Sequence, residues 1–330
     1  MSTLKVRIGV ALGGYGDAGR FPAVVDRLEE LGVDSLWVQE MVFGPLVEPF
    51  IGMTHALART SRLKVGTGVA VLPGRHPVLV AKQLATLAGL APGRVLPAFG
   101  LQPARADERP MFPVPPGRRG AVFDESLELL RMLLRQETVS FTGQYFTVEG
   151  ASVGPVPARP IDIWTGGSAP GALRRTGRLA DGWLGSFLTP GEAGAAREAI
   201  QAAAADAGRE IEEDHFGISL AVATDGIPAS LVESVQRRRP GTDPAALVAT
   251  GWSDARQMIE EYVSAGLSKF VIRPAGVSGE PGPGPGQLGR SGEPGRSEEA
   301  GPSGPSGQSG GSGLDDFLER FAAEMMPLQN

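Results

Sequence analysis

Short apolar strands alternate with amphipathic helices along nearly the whole chain, and few folds accommodate that rhythm. Strands are predicted at residues 6–12, 35–38, 63–72, 94–99, 161–164, 183–186, 216–223 and 269–273. Helices are predicted at 20–31, 49–59, 77–90, 118–134, from 170 onward, 192–207, 254–265 and 314–326. In the first helix Val24, Val25, Leu28 and Leu31 recur at the spacing of one helical face. A Gly-punctuated, hairpin-like stretch at 139–148 interrupts the alternation. Strands each trailed by a helix pair in parallel through right-handed crossovers. Eight such units close a (β/α)8 TIM barrel with insertions, and 330 residues suit a fold that needs about 250 plus its insertions. An open dinucleotide-binding sheet is the competing α/β arrangement. It lacks its fingerprint here, because Gly9 and the run Gly13-Gly14-Tyr15-Gly16 do not have the GxGxxG spacing.

One segment breaks the rhythm. Residues 279–313 are mostly Gly, Pro and Ser, with Leu288 almost alone as an apolar side chain. Such a composition cannot bury enough surface to offset its ordering entropy, so a disordered tether is expected. Glycine falls at every third position from Gly286 to Gly313, interrupted at Glu298, but a collagen-like helix needs longer Pro-rich tracts on three chains. The predicted division is a barrel over 1–278, an insert over 279–313 and a terminal barrel helix over 314–330. Leu314, Phe317, Leu318, Phe321 and Met325 supply the buried face of that helix. The insert then leaves the barrel on the side where active sites of this architecture lie.

Composition removes several classes of function. A formal net charge of −6 argues against nucleic acid or an anionic membrane surface as partner. The absence of cysteine excludes disulfides, thiolate nucleophiles and Cys-ligated metals. The three histidines, His55, His76 and His215, are far apart and have no metal-motif spacing. With no signal-peptide core and no membrane-length apolar run, the cytoplasm is the expected location and a small molecule the expected partner.

The chemistry-bearing motif is IDIWTGGSAPGALRRTGRLADGW at 161–183. A strand runs into Gly166-Gly167, Ser168 is positioned to cap a helix starting near Pro170, and Leu173 and Leu179 face inward. Glycines at a strand-to-helix turn leave backbone N–H groups pointing outward at the positive end of the helix dipole. That is an anion socket, most often for phosphate, although glycine can also serve such a turn for its backbone freedom alone.

Together with KVGTGVAVLPGRHPVLVAKQLATL at 64–87, this block resembles the bacterial luciferase-like flavin and deazaflavin oxidoreductases. The chain is most similar to the branch that uses coenzyme F420. Supporting stretches are SLWVQE at 35–40, FDESLELLR at 123–131, FTGQYF at 141–146 and KFVIRP at 269–274. The resemblance covers residues 4 to about 274 and the last helix. It implies a luciferase-like barrel with F420 across its C-terminal mouth (flavin mononucleotide, FMN, is the alternative), the phosphate lying at Gly166, Gly167 and Ser168. It further implies a bulge with a non-prolyl cis peptide at Gly68-Val69 behind the ring. An F420-dependent oxidoreductase moving hydride to or from a small organic substrate is the implied activity. An FMN-dependent monooxygenase and a non-catalytic cofactor-binding barrel are the alternatives. Helices two and three carry apolar residues that relatives often use for dimers, so a homodimer is also implied.

Hydride chemistry needs a proton donor or acceptor beside the ring. Glu40 ends the second strand where many relatives carry an Asp-His pair, here Gln39-Glu40. It is a candidate acid or base, or else a partner for the cofactor or an arginine. His76, after strand three, is the second catalytic candidate, with helix capping as its other role. Gln102, just past strand four, is a candidate contact to the ring edge. Arg273 at the end of strand eight could meet cofactor or substrate, or form a salt bridge. Asp107, Glu108 and Arg109 read as solvated loop charges or lid residues, and His55 and His215 as structural.

Overall fold

The computed structural model describes residues 4–277 and 312–330. The tether expected over 279–313 lies almost entirely outside these residues. Eight parallel barrel positions are present. They are β1 (Arg7–Ala11), β2 (Ser35–Val38), β3 (Lys64–Thr67 and Ala70–Val71) and β4 (Val95–Leu96 and Ala98–Gly100), followed by β5 (Trp164–Gly166), β6 (Gly182–Ser186), β7 (Phe216–Ala223) and β8 (Lys269–Ala275). Every neighbouring pair is parallel, and β8 pairs β1 through Ile8↔Phe270, so the sheet closes on itself. The expected (β/α)8 barrel is the observed fold.

Nine α-helices occur among the described residues. These are α1 (Phe21–Glu30), α2 (Pro49–Arg59), α3 (Pro77–Leu90), α4 (Arg119–Arg135) and α5 (Pro170–Leu179), then α6 (Pro190–Asp206), α7 (Ala229–Arg238), α8 (Trp252–Ser264) and α9 (Ser312–Met325). Most bury an apolar stripe, as α1 does with Phe21, Val24, Val25 and Leu28. Helix α7 goes beyond the sequence expectation; its short segment buries only Leu231 and Val235 and so carries a weak periodic signal. None of the described helices is long and apolar enough to cross a membrane. The hairpin at Val139–Thr142 and Thr147–Ala151 stands apart from the barrel as an antiparallel pair.

Two adjacent strands are broken, and one side chain repairs the gap. Pro97 interrupts β4 and offers no N–H to the ladder. Across it, the Thr67 hydroxyl donates to the Ala98 carbonyl (2.6 Å) and accepts from the Ala98 N–H (2.8 Å). The barrel interior is packed rather than hollow. Trp37 and Trp164 meet edge-on at 6.4 Å, surrounded by Ala11, Ala98, Leu184 and Val271.

At the opposite, N-terminal end, Glu29 at the foot of α1 gathers the loop that enters β3. Its carboxylate accepts the Ser61 N–H (2.9 Å), the Ser61 hydroxyl (2.8 Å) and the Leu63 N–H (2.9 Å). Burial works against its ionisation, but hydrogen bonds from Ser61, Leu63 and Arg62 outweigh it and hold the carboxyl at about 2, below the ordinary 4.5. A depressed carboxyl stabilises the fold fully above its unfolded value and loses that contribution as pH falls through its folded value. The stabilisation is therefore expected to fade as pH falls from about 4.5 to about 2. In urea melts across that range, Glu29→Gln should flatten the acid limb of stability and lower the midpoint near neutrality.

Candidate active site

At the C-terminal mouth, three strands present a surface nearly free of side chains. The Gly68–Val69 peptide joining the two pieces of β3 is cis. From there Val69 turns across the barrel. Its Cγ2 lies 2.8 Å from the place a Cβ would occupy on Gly100, and its Cγ1 lies 3.4 Å from the same place on Gly166. Glycine at the ends of β4 and β5 is thus what makes room for Val69, and any larger residue at Gly100 would displace it.

Strand β5 runs Trp164–Gly166 rather than 161–164, because its ladder partners are Ala98 and Phe99 on one side and Gly182 to Leu184 on the other. Ile163 N–H is drawn off to the Asp181 carboxylate (3.0 Å) before the strand begins. Gly167 then turns the chain at φ 106°, a region closed to most L-residues, and a Cβ there would stand 3.0 Å from Ala172 Cβ. The Trp183 indole N–H donates to the Gly167 carbonyl at 2.9 Å and fixes the turn from below. Ser168 does not cap α5. The N-cap is Ala169, with no side-chain hydrogen bond and no acidic residue in the first turn. The capping expectation is corrected by one residue, since the helix starts at Pro170. The outcome strengthens the socket, because no side chain occupies the positive end of the helix.

Glu40 is buried and fully engaged. Its Oε2 accepts the Val71 N–H (2.6 Å) and Arg75 Nη1 (2.8 Å), and its Oε1 accepts Arg75 Nη2. Arg75 also donates to the Val71 carbonyl (2.6 Å). Its guanidinium carbon lies 5.0 Å from the centroid of the Phe112 ring and 5.8 Å from that of Phe50. Three donors, two of them from one guanidinium, therefore hold most of the roughly four acceptor positions of this carboxylate. For Glu40 the arginine pairing named among its alternatives is present. The helix-capping role is present for His76. It is exposed and N-caps α3, its Nδ1 accepting the Val78 N–H at 3.3 Å, and its ring meets Phe146 edge-on.

Gln102 lies exposed two residues past β4, at the same end as the glycine surface. Arg273 is half-buried at the mouth, its side chain 3.7 Å from where Gly13 would carry a Cβ. His215 sits at the far end, its Nδ1 2.8 Å from the Asp181 carbonyl oxygen. His55 lies in α2 against Phe21. Neither reaches the mouth.

The residue that sequence reasoning set aside is Glu108. The loop leaving β4 crosses back toward the loop after β2, where Glu108 Oε1 accepts the Phe43 N–H (3.0 Å) and Arg105 donates to the Phe43 carbonyl (3.3 Å). Glu108 is 0% exposed, and among the described residues its Oε2 has no hydrogen-bond partner. A buried carboxylate oxygen with nothing to accept from is costly as structure alone and marks a candidate functional group. Its only sequence signal was a cluster of charges; its hydrogen bond to Phe43 spans 65 residues. Val42, Phe43 and Met111 leave apolar surface exposed on these same two loops.

The family profile described as luciferase-like monooxygenase matches residues 1–268. The chain belongs to that family. Among relatives of this luciferase-like protein, an F420-dependent glucose-6-phosphate dehydrogenase of Kineococcus radiotolerans is 30% identical over 174 residues, covering 50% of this chain and 52% of that protein. The chain thus spans about half the length of that relative. A namesake from Nocardia farcinica is 29% identical over 295 residues, with 75% of this chain and 85% of that protein covered. The fold is shared with a solved F420-dependent secondary alcohol dehydrogenase bound to an F420-acetone adduct. The TM-score is 0.68 at 21% identity, over 82% of this chain and 93% of that one.

Proposed function

We propose that this luciferase-like protein is an F420-dependent oxidoreductase that moves hydride between the deazaflavin and a small organic substrate. The observation that carries the reading is the glycine-lined mouth, where the Val69 side chain lies against Gly100 and Gly166 beside the uncapped α5 terminus. The residues fit such a cofactor. Gly166, Gly167 and Ser168 would hold its phosphate, Gly68 and Val69 would back the ring, and Gln102 would meet the ring edge. When bound, the deazaflavin supplies a two-electron hydride acceptor or donor. The relatives' names support F420 over FMN.

Glu108 completes the proposal as the acid–base group. Its unpartnered Oε2 would accept the hydroxyl proton of a substrate undergoing oxidation and return a proton in the reverse direction. The exposed apolar residues on the two adjoining loops would exclude water from that exchange. We also propose a homodimer through the outer faces of α2 and α3, which expose Ile51 (67%), Leu79 (66%) and Leu90 (73%). Light scattering of the wild type and of Leu79→Glu should read dimer and monomer respectively.

The deciding experiment titrates purified protein with F420 and, separately, with FMN, following ring fluorescence. Preferential F420 binding supports the proposal and leads to a screen of secondary alcohols and sugar phosphates with the bound cofactor. Preference for FMN would move the protein to the flavin monooxygenases, and binding of neither would leave the site assignment without support.

A further inference from the structure

The second strand ends too early to support its neighbour. Val38 supplies the last β2 carbonyl to β3, accepting the Gly68 N–H at 2.8 Å. Beyond that point β3 continues as Ala70–Val71 with no β2 backbone beside it. The Glu40 side chain takes the place of the missing strand by accepting the Val71 N–H, while Arg75 donates to the carbonyl of the same residue. Both polar groups of Val71 are therefore held by one ion pair. The pair is itself seated firmly: the Glu40 side chain is 3% exposed and that of Arg75 23%. Phe50 from α2 and Phe112 from the loop after β4 lie against the guanidinium.

We propose that Glu40 and Arg75 are positioning residues, a clamp that sets the backbone from Val69 to Val71 and with it the surface against which a cofactor ring would lie. Their role toward the ring rests on the F420 reading above; the clamp on Val71 does not. A carboxylate fixed by two charged donors and an amide acts here through geometry, replacing strand pairing with side-chain hydrogen bonds. Glu40 exchanges no proton with substrate, so removing its charge should loosen the segment without altering which groups titrate during turnover.

The test uses the full chain with Glu40→Gln, Arg75→Met and the double variant. The double variant leaves no unpaired buried charge and serves if either single variant folds poorly. Amide hydrogen exchange over residues 69–75, without cofactor, is the first readout. Protection of the Val71 amide should fall about tenfold or more in each variant while core strands such as β7 stay unchanged. F420 affinity, read by fluorescence, should fall by about tenfold, with the shape of the pH–rate profile retained. Wild-type exchange in both Glu40→Gln and the double variant would overturn the clamp. So would a Glu40→Gln enzyme that keeps its affinity but loses one limb of the pH profile, since that result assigns Glu40 to proton transfer. If the wild type binds no F420, the functional reading fails, and hydrogen exchange alone still decides the clamp.

Discussion

Glu108→Gln is expected to lower kcat by about 10²–10⁴-fold while F420 affinity stays within about twofold of wild type. The amide keeps the size of the carboxyl and can still accept the Phe43 N–H through its oxygen, so the loop should hold its shape. What it loses is the ability to take up and return a proton at Oε2, to which no described residue donates a hydrogen bond. The measurement is steady-state turnover with any substrate that passes the screen, across pH. The variant should also lose the limb of the profile that reports the acid–base group. An unchanged kcat would exclude Glu108 from proton transfer and return it to a role in holding the loops together. Glu108→Ala is a poorer probe, because it empties a buried site and removes the contact to Phe43 at once.

Gly167→Asp should weaken F420 binding by about 100-fold or more, through two effects that can be separated. Any Cβ at φ 106° strains the backbone and crowds Ala172, costing about 1–3 kcal/mol. A carboxylate then places negative charge where the uncapped α5 terminus would receive a phosphate. Gly167→Ala carries the first effect alone. The phosphate-free deazaflavin nucleoside separates them further. Its binding should suffer equally from Ala and Asp, whereas F420 should discriminate strongly between the two. Equal losses for F420 with both variants would mean the turn matters only for its shape and that the phosphate lies elsewhere.

The barrel was legible because its signal is local and repeated. Each strand is a short apolar run, and each helix carries a stripe such as Val24, Val25 and Leu28 that needs no distant partner to be recognised. The Gly166-Gly167 turn was legible for the same reason, since a glycine pair before Pro170 has few local explanations. Its fine register was not. Whether Ser168 or Ala169 caps α5 depends on where β5 finds its ladder, and that is set by Phe99 and Gly182 on other strands. The surroundings of the acid–base candidates were hidden for a related reason. An arginine partner was one alternative for Glu40, but no local spacing singled out Arg75, 35 residues on. Glu108 looked solvated among Asp107 and Arg109, yet the loop after β2 closes over it. A side chain's chemistry follows from its surroundings, and those surroundings are assembled from contacts that sequence spacing does not encode.

The tryptophans of the barrel give this protein an optical gauge of its own. Of the four in the chain, Trp37 and Trp164 meet edge-on within the barrel, and Trp183 is hydrogen-bonded to the proposed phosphate turn itself. Only Trp252 lies apart, against Phe317 of α9. A chromophore absorbing at the violet edge would drain their ultraviolet emission by energy transfer on arrival. A Trp252→Phe variant would then report occupancy from indoles beside the pocket alone, without label or substrate.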